Sequence, residues 1–205
     1  MSGFAVNPLV PLLLLASAAG LLALRRREAG LVWCAAGLAA MALLAPALAI
    51  VDGIPSPAAS LADHPPWQQV AEPAAGNPQL QDVTYQVHPW LLHLRQELRS
   101  GRLPLWNPYQ SSGTPYWSNG SSAPLFPLHL LFAALPTQVG WLLLPWLRVV
   151  IGALGVWFLA RHLGLSRPAA VLASLAFPLA GMPVGFLLFP MGNALALVPW
   201  VLCAV

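Results

Sequence analysis

Two apolar runs near the start, Pro8 to Leu24 and Gly30 to Val51, are separated only by Arg25, Arg26, Arg27, Glu28 and Ala29. As a helix at roughly 1.5 Å per residue the first run is about 25 Å long, just enough to cross a bilayer core of about 30 Å. Its positive charges follow it instead of preceding it, so it reads as a retained span with its N-terminus outside the cytoplasm, not as a secretory signal peptide. The short arginine turn belongs in the cytoplasm by the positive-inside rule, and Asp52 then emerges on the far side. The balance of the chain agrees: it is 58% hydrophobic and 7% charged with a mean hydropathy of +0.70, too little polar surface to cover a water-soluble globule. The expected class is an all-α integral membrane protein, a multi-span helical bundle.

The formal charge of +3 comes from nine arginines and no lysine, scattered in short clusters beside apolar segments. That distribution is not the basic run interleaved with aromatics that nucleic acid requires, so no nucleic-acid partner is expected. Cys34 and Cys203 both lie in apolar segments and imply neither a disulfide framework nor a metal site.

From Asp52 to about Ala123 the chain is polar and rich in proline, glycine, serine and asparagine, too long for a tight connection and too rich in tryptophan for a plain linker. It reads as an ordered extracytoplasmic loop, extending to about residue 136, with an irregular first part through Gly76, Asn77 and Pro78. A helix is predicted over about 89–100, with His88 as its cap, Pro89 in its first turn and Gly101 just past its end. Trp90, Leu91, Leu94 and Leu98 fall on one face and Arg95, Arg99 and Arg102 on another, the pattern of a helix lying in the bilayer interface with its leucines toward lipid. The run over about 123–135 is apolar but too short to span and reads as a second interfacial helix ended by Pro136.

A span interrupted by Pro145 is predicted over about 137–160, and the short basic loop Arg161 to Arg167 after it belongs in the cytoplasm. A return span follows over about 168–189, Pro190 to Asn193 turn outside, and an apolar stretch over about 194–205 is too short to finish a crossing. The chain therefore reads as the N-terminal part of a longer membrane protein.

The polar interval from Asp82 to Trp117 carries the candidate site. Asp82 leads it, with Gln86 one helical turn on if the helix begins early, and His88 close by; a carboxylate at the lipid surface can take a proton from an acceptor hydroxyl or bind a divalent ion beside a phosphate. An ordinary solvated loop aspartate has the same spacing, and Asp52 and Asp63 compete for the role. Arg95, Arg99 and Arg102 suit the phosphate of a lipid-linked substrate, and equally the anionic headgroups of any bilayer. Arg148 stands in the middle of a span, where a guanidinium costs at least about 2.5 kcal/mol on insertion scales and so faces a cavity or a partner. Trp106, Asn107 and Tyr109 open an aromatic and proline cluster that ends at Trp117; aromatic faces stack on sugar rings but also anchor proteins at membrane interfaces. His64, His93, His129 and His162 have no ligand spacing.

Taken together, Asp82 followed by QVHPW, the string LRSGRLPLWNPYQSSGTPYW, the APLFPLHLL segment and a span ending LARHLGLSRPAA resemble the bacterial YfhO-like membrane proteins, which belong with the GT-C glycosyltransferase superfamily. The resemblance runs from about Asp82 to Val205 and is most specific between Gly101 and Tyr109. It implies a GT-C-like bundle in the bacterial inner membrane whose first large loop bears interfacial helices and a catalytic aspartate, the position that Asp82 matches. It further implies transfer of a sugar from a polyprenyl-phosphate carrier to an extracytoplasmic acceptor, with lipid-linked sugar and membrane lipids as partners. Any metal requirement is left open by it. A non-catalytic or transporter-like component that handles lipid-linked glycans is the alternative, since family membership alone does not establish catalysis.

Overall fold

The computed structural model describes Ala36, Gly37, Leu61 and residues 64–69 and 80–205. The expected spans over 8–24 and 30–51 lie outside these residues apart from Ala36 and Gly37, as do Asp52, Asp63 and Cys34. The described residues are mostly helical, and two of their helical stretches, Thr137–His162 and Arg167–Gly185, are long and apolar enough to cross a membrane. The chain divides into an inserted unit, Pro55–Gly140, and an apolar unit made of Met1–Ile54 and Trp141–Val205.

The inserted unit is built on helix α1, His88–Arg99. Helical backbone starts earlier than the sequence suggests, because a π-helical stretch over Val83–Val87 leads directly into it and His88 sits inside the continuous helix instead of capping it. Two features explain the early start. Val83 and Val87 are buried and anchor the added turn, and Pro89 lacks the N–H that an α-helical ladder would need there, which favours a locally widened register. The His88 N–H accordingly bonds back to the Val83 carbonyl oxygen. At the other end Gly101 takes φ +69°, the left-handed conformation expected just past a helix C-terminus.

After α1 the chain forms a two-stranded antiparallel ribbon, β1 Trp106–Asn107 with β2 Thr114–Pro115, in the register Trp106 to Pro115 and Asn107 to Thr114. Its tip passes through Ser111 and Ser112 at positive φ to Gly113 at φ +114°, where a Cβ would stand 2.6 Å from the Trp106 indole. Glycine is required there on both counts. Helix α2, Pro127–Ala134, is shorter than the 123–135 run, because Ala123 turns the chain at φ +42° and helix begins only after Phe126. His129 stabilises that turn from inside: its Nδ1 lies 3.1 Å and 3.0 Å from the carbonyl oxygens of Ser122 and Ala123.

The apolar face of α1 meets protein, not lipid. Trp90, Leu94, Tyr116 and Ala133 form a buried cluster with Leu98 packed against it, and Leu91 is 1% exposed. Each such side chain contributes roughly 1.5–3 kcal/mol by leaving water.

Helix α3, Thr137–His162, continues through Pro145 without the expected interruption. Leu142, Trp146, Val149, Val150 and Ala153 on α3 pack with Ala36 into the core of the apolar unit. Helix α4, Arg167–Ala176, tightens into a 3-10 turn at Phe177–Leu179, breaks at the extended Ala180 and resumes as the short α5, Gly181–Gly185. Pro178 is responsible, since it has no N–H with which to continue the α ladder. Helix α6, Met191–Ala204, starts three residues before the predicted 194 and contains Asn193. It crosses α3 closely: the Trp200 indole N–H donates to the Ile151 carbonyl oxygen at 2.9 Å, and a Cβ on Gly155 would stand 2.6 Å from the same indole.

Candidate functional site

Three faces of α1 have three uses. The leucine face is core, and the arginine face holds the unit together. Arg95 donates through Nη1 to the Thr137 hydroxyl, and Arg99 donates through Nη2 to the Ala134 carbonyl oxygen at 3.3 Å, placing a cation at the C-terminal end of α2 where the helix dipole favours one. Loss of solvent, and then the like charge of Arg99, lower the Arg95 pKa. Arg102 makes a two-pronged pair with Glu97 at 2.9 Å and 2.8 Å, and this hydrogen bonding holds the Glu97 carboxyl below the usual range while raising Arg102. The stripe expected to meet phosphates is thus engaged within the unit at all three positions.

The third face, opposite the leucines, lines a groove of about 290 Å³. Tyr85, Pro89, Leu92, His93 and Gln96 recur along it at helical spacing, Trp90 closes one side, and the ribbon supplies Asn107, Tyr109 and Gln110. Tyr109 is 73% exposed, while Asn107 is buried and accepts the Tyr109 N–H on Oδ1 at 3.0 Å, which fixes the backbone that presents the ring. The Trp90 indole N–H donates to Gln110 Oε1 at 3.0 Å; because an indole only donates, the Gln110 amide nitrogen is turned away from Trp90. His93 is 6% exposed, and its Nε2 lies 2.9 Å from the Trp106 carbonyl oxygen, binding helix to ribbon. Aromatic faces, amide groups and an imidazole around one opening are suited to stacking on a ring and hydrogen-bonding its hydroxyls.

The remaining sequence candidates fall as follows. Asp82 is exposed and accepts from the Gln86 side-chain amide at 3.0 Å, as the one-turn spacing predicts; it lies a helical turn before Tyr85 and is not part of the groove lining. Burial lowers the His88 pKa and favours the neutral ring. Trp106 keeps a 54% exposed indole lying over Gly113, and its main contribution to the groove is the carbonyl oxygen that His93 binds. Within the apolar unit Arg148 is buried and donates through Nε to Asn193 Oδ1 at 2.8 Å and through Nη1 to the Leu187 carbonyl oxygen at 2.6 Å. A neutral amide and a backbone carbonyl thus answer a guanidinium for which the sequence offers no carboxylate at matching depth. Among the described residues no three His, Cys, Asp or Glu side chains come together as a metal site.

Among the residues lining the groove, Asn107 and Tyr109 stand among the sequence candidates, whereas Tyr85, His93, Gln96 and Gln110 do not. For the first three a signal was present: they share one helical face with Pro89, opposite the leucines. No protein-family model matches the chain, and neither a curated protein nor a solved structure is significantly similar to it.

Proposed function

We propose that this chain belongs to a multi-pass membrane protein that handles lipid-linked sugars on the extracytoplasmic side, with the groove between α1 and the ribbon holding the sugar ring. The observation that carries this reading is the groove itself, where Trp90 and Tyr109 supply aromatic surface beside Gln96, Gln110 and His93. The membrane setting draws support from the apolar unit: Leu172, Leu179, Met182, Val201 and Leu202 are each at least half exposed, a surface that suits hydrocarbon and not water. The arginines flanking the apolar runs orient it, with the loop over 52–136 outside and Arg161 to Arg167 in the cytoplasm. A bacterial inner membrane and membership of the YfhO-like group follow from the sequence resemblance and are part of the proposal.

Two forms of this function differ in chemistry. In the glycosyltransferase form, Asp82 takes the proton of an acceptor hydroxyl as it displaces the polyprenyl phosphate from the sugar. In the binding form the sugar is held without transfer. Arg95, Arg99 and Arg102 are each engaged inside the unit but keep guanidinium N–H groups beyond those contacts, so the arginine face is compatible with both forms. Membranes carrying the protein, incubated with a labelled polyprenyl-phosphoryl sugar, separate the cases. Label moved to a water-soluble acceptor supports transfer, and label retained but unmoved supports binding. Neither retention nor transfer with any donor overturns the proposal.

A further inference from the structure

The register of α6 on α3 fixes how far the chain travels before it turns back. Arg148 Nε donates to Asn193 Oδ1, a Cβ on Gly152 would stand 3.6 Å from the Ala196 Cα, and one on Gly155 would stand 2.6 Å from Trp200 and 3.1 Å from Pro199. In each pair the partner is 44 or 45 positions further along the chain, so α6 runs parallel to α3 with Asn193 level with Arg148. Helix α4 runs the other way: it begins at Arg167, soon after α3 ends at His162, and Phe177 beyond it lies against Gly152. The turn between them therefore sits at the depth of Arg148, eleven residues into the 26 of α3 and about 16 Å short of its Thr137 end. The stretch Arg167–Gly185 has the length to cross a bilayer, but it breaks at Ala180 and goes no further.

Two further observations put this turn in hydrocarbon. No polar side chain stands between Ser174 and Asn193, whereas the loop at the other end of α4 is basic, from Arg161 and His162 to Arg167. Leu179, Met182 and Met191 are nevertheless at least half exposed. The backbone of the turn is also closed on itself: the N–H groups of Val184, Phe186, Leu187, Phe189 and Gly192 each bond to a carbonyl oxygen within it, at 3.0–3.2 Å. Arg148 adds a donor from α3, its Nη1 bonding to the Leu187 carbonyl oxygen at 2.6 Å. Irregular backbone persists at membrane depth only where protein satisfies it in this way.

We infer that α4, α5 and α6 form a re-entrant hairpin, both arms of which point toward the Arg161 to Arg167 side, and that lipid acyl chains of the opposite leaflet cover its apolar turn, Leu179 to Met191. Arg148 pins the turn to the middle of α3. The inference rests on the membrane setting proposed above and is independent of any sugar.

The test measures depth. Met182→Cys and Met191→Cys in the turn, Phe158→Cys on α3 and Ser118→Cys in the inserted unit are made one at a time in a Cys34→Ser, Cys203→Ser chain, spin-labelled and placed in nanodiscs. Power-saturation EPR compares collisions with oxygen, which concentrates in hydrocarbon, and with a water-soluble nickel chelate. Both turn labels are expected to respond to oxygen and not to nickel, about 10 Å or more below the phosphates that bound a core about 30 Å thick. Phe158→Cys should respond likewise, and Ser118→Cys should respond to nickel. Leu179→Cys replaces a turn variant that does not fold. A turn label at headgroup depth or open to nickel, with Phe158→Cys still in hydrocarbon, overturns the hairpin and leaves the membrane setting standing. Nickel access at Phe158→Cys as well overturns both.

Discussion

The Tyr116 hydroxyl donates to the backbone carbonyl oxygen of Trp90 at 2.8 Å, tying the ribbon to the turn of α1 whose side chain borders the groove. Tyr116 is 1% exposed, and burial raises its pKa, so the proton that makes the bond is kept. Tyr116→Phe preserves the ring and removes only that donor. It is expected to lower the stability of the inserted unit by about 0.5–1.5 kcal/mol, measured by denaturant unfolding in detergent. An unchanged midpoint would mean that the bond contributes nothing to holding the groove.

Acid should weaken the same unit through His88. Burial depresses its folded pKa below the ordinary 6.5, so the neutral ring contributes stability that is fully present above the unfolded value. As pH falls below that value the unfolded chain takes up the proton first, and stability declines until the folded pKa is passed. Thermal midpoints are therefore expected to fall between about pH 7.5 and about pH 5.5, with a shallower fall in His88→Gln. A pH dependence identical in the two proteins would assign the titration elsewhere.

Close packing around Arg148 makes a prediction for the apolar unit. A Cβ on Gly192 would lie 2.6 Å from the Phe186 carbonyl oxygen and 3.2 Å from Arg148 Cδ, so Gly192→Ala must displace backbone or the arginine. The expected loss is about 1–3 kcal/mol by overpacking. Asn193→Leu, which removes the acceptor of Arg148 Nε, should cost about 1.5–3 kcal/mol, the range for hydrogen bonds to charged groups. Both are measurable by unfolding in mixed micelles. Wild-type stability in either variant would show that the region relaxes freely around the arginine.

Asp82→Asn separates transfer from binding. Asparagine can still accept from Gln86 and should leave the fold intact, while losing the charge and basicity. If Asp82 is the base, transfer from a polyprenyl-phosphate donor falls at least roughly a hundredfold. Equal rates at matched membrane levels would remove Asp82 from the chemistry.

Patterns confined to a single element were legible in the sequence. The α1 helix, its Gly101 terminus and the apolar lengths of α3 and the α4 to α5 stretch all follow from local spacing and hydropathy. What the sequence did not show depends on contacts distant along the chain. A leucine face reads the same whether it covers lipid or Tyr116 and Ala133. Arginines at helical spacing read the same whether they await phosphates or hold the Ala134 carbonyl and the Thr137 hydroxyl. His93 has no metal-ligand spacing, and its use depends on the Trp106 carbonyl, a backbone group that no side-chain pattern signals. Asn193, read as an outside turn residue, is the partner of Arg148 within a helix.

The central claim is that the groove between α1 and the ribbon holds a sugar ring, and Tyr109 is its most exposed aromatic wall. Tyr109→Ala removes a stacking surface without touching the buried cluster of Trp90, Leu94 and Tyr116. Saturation-transfer NMR on the wild-type chain and this variant in nanodiscs, with methyl glycosides of the gluco, galacto and manno series, is the direct measurement. The account predicts transfer to ring protons in the wild type and a loss of roughly 1 kcal/mol of affinity or more in the variant. Indistinguishable saturation in the two proteins would contradict it.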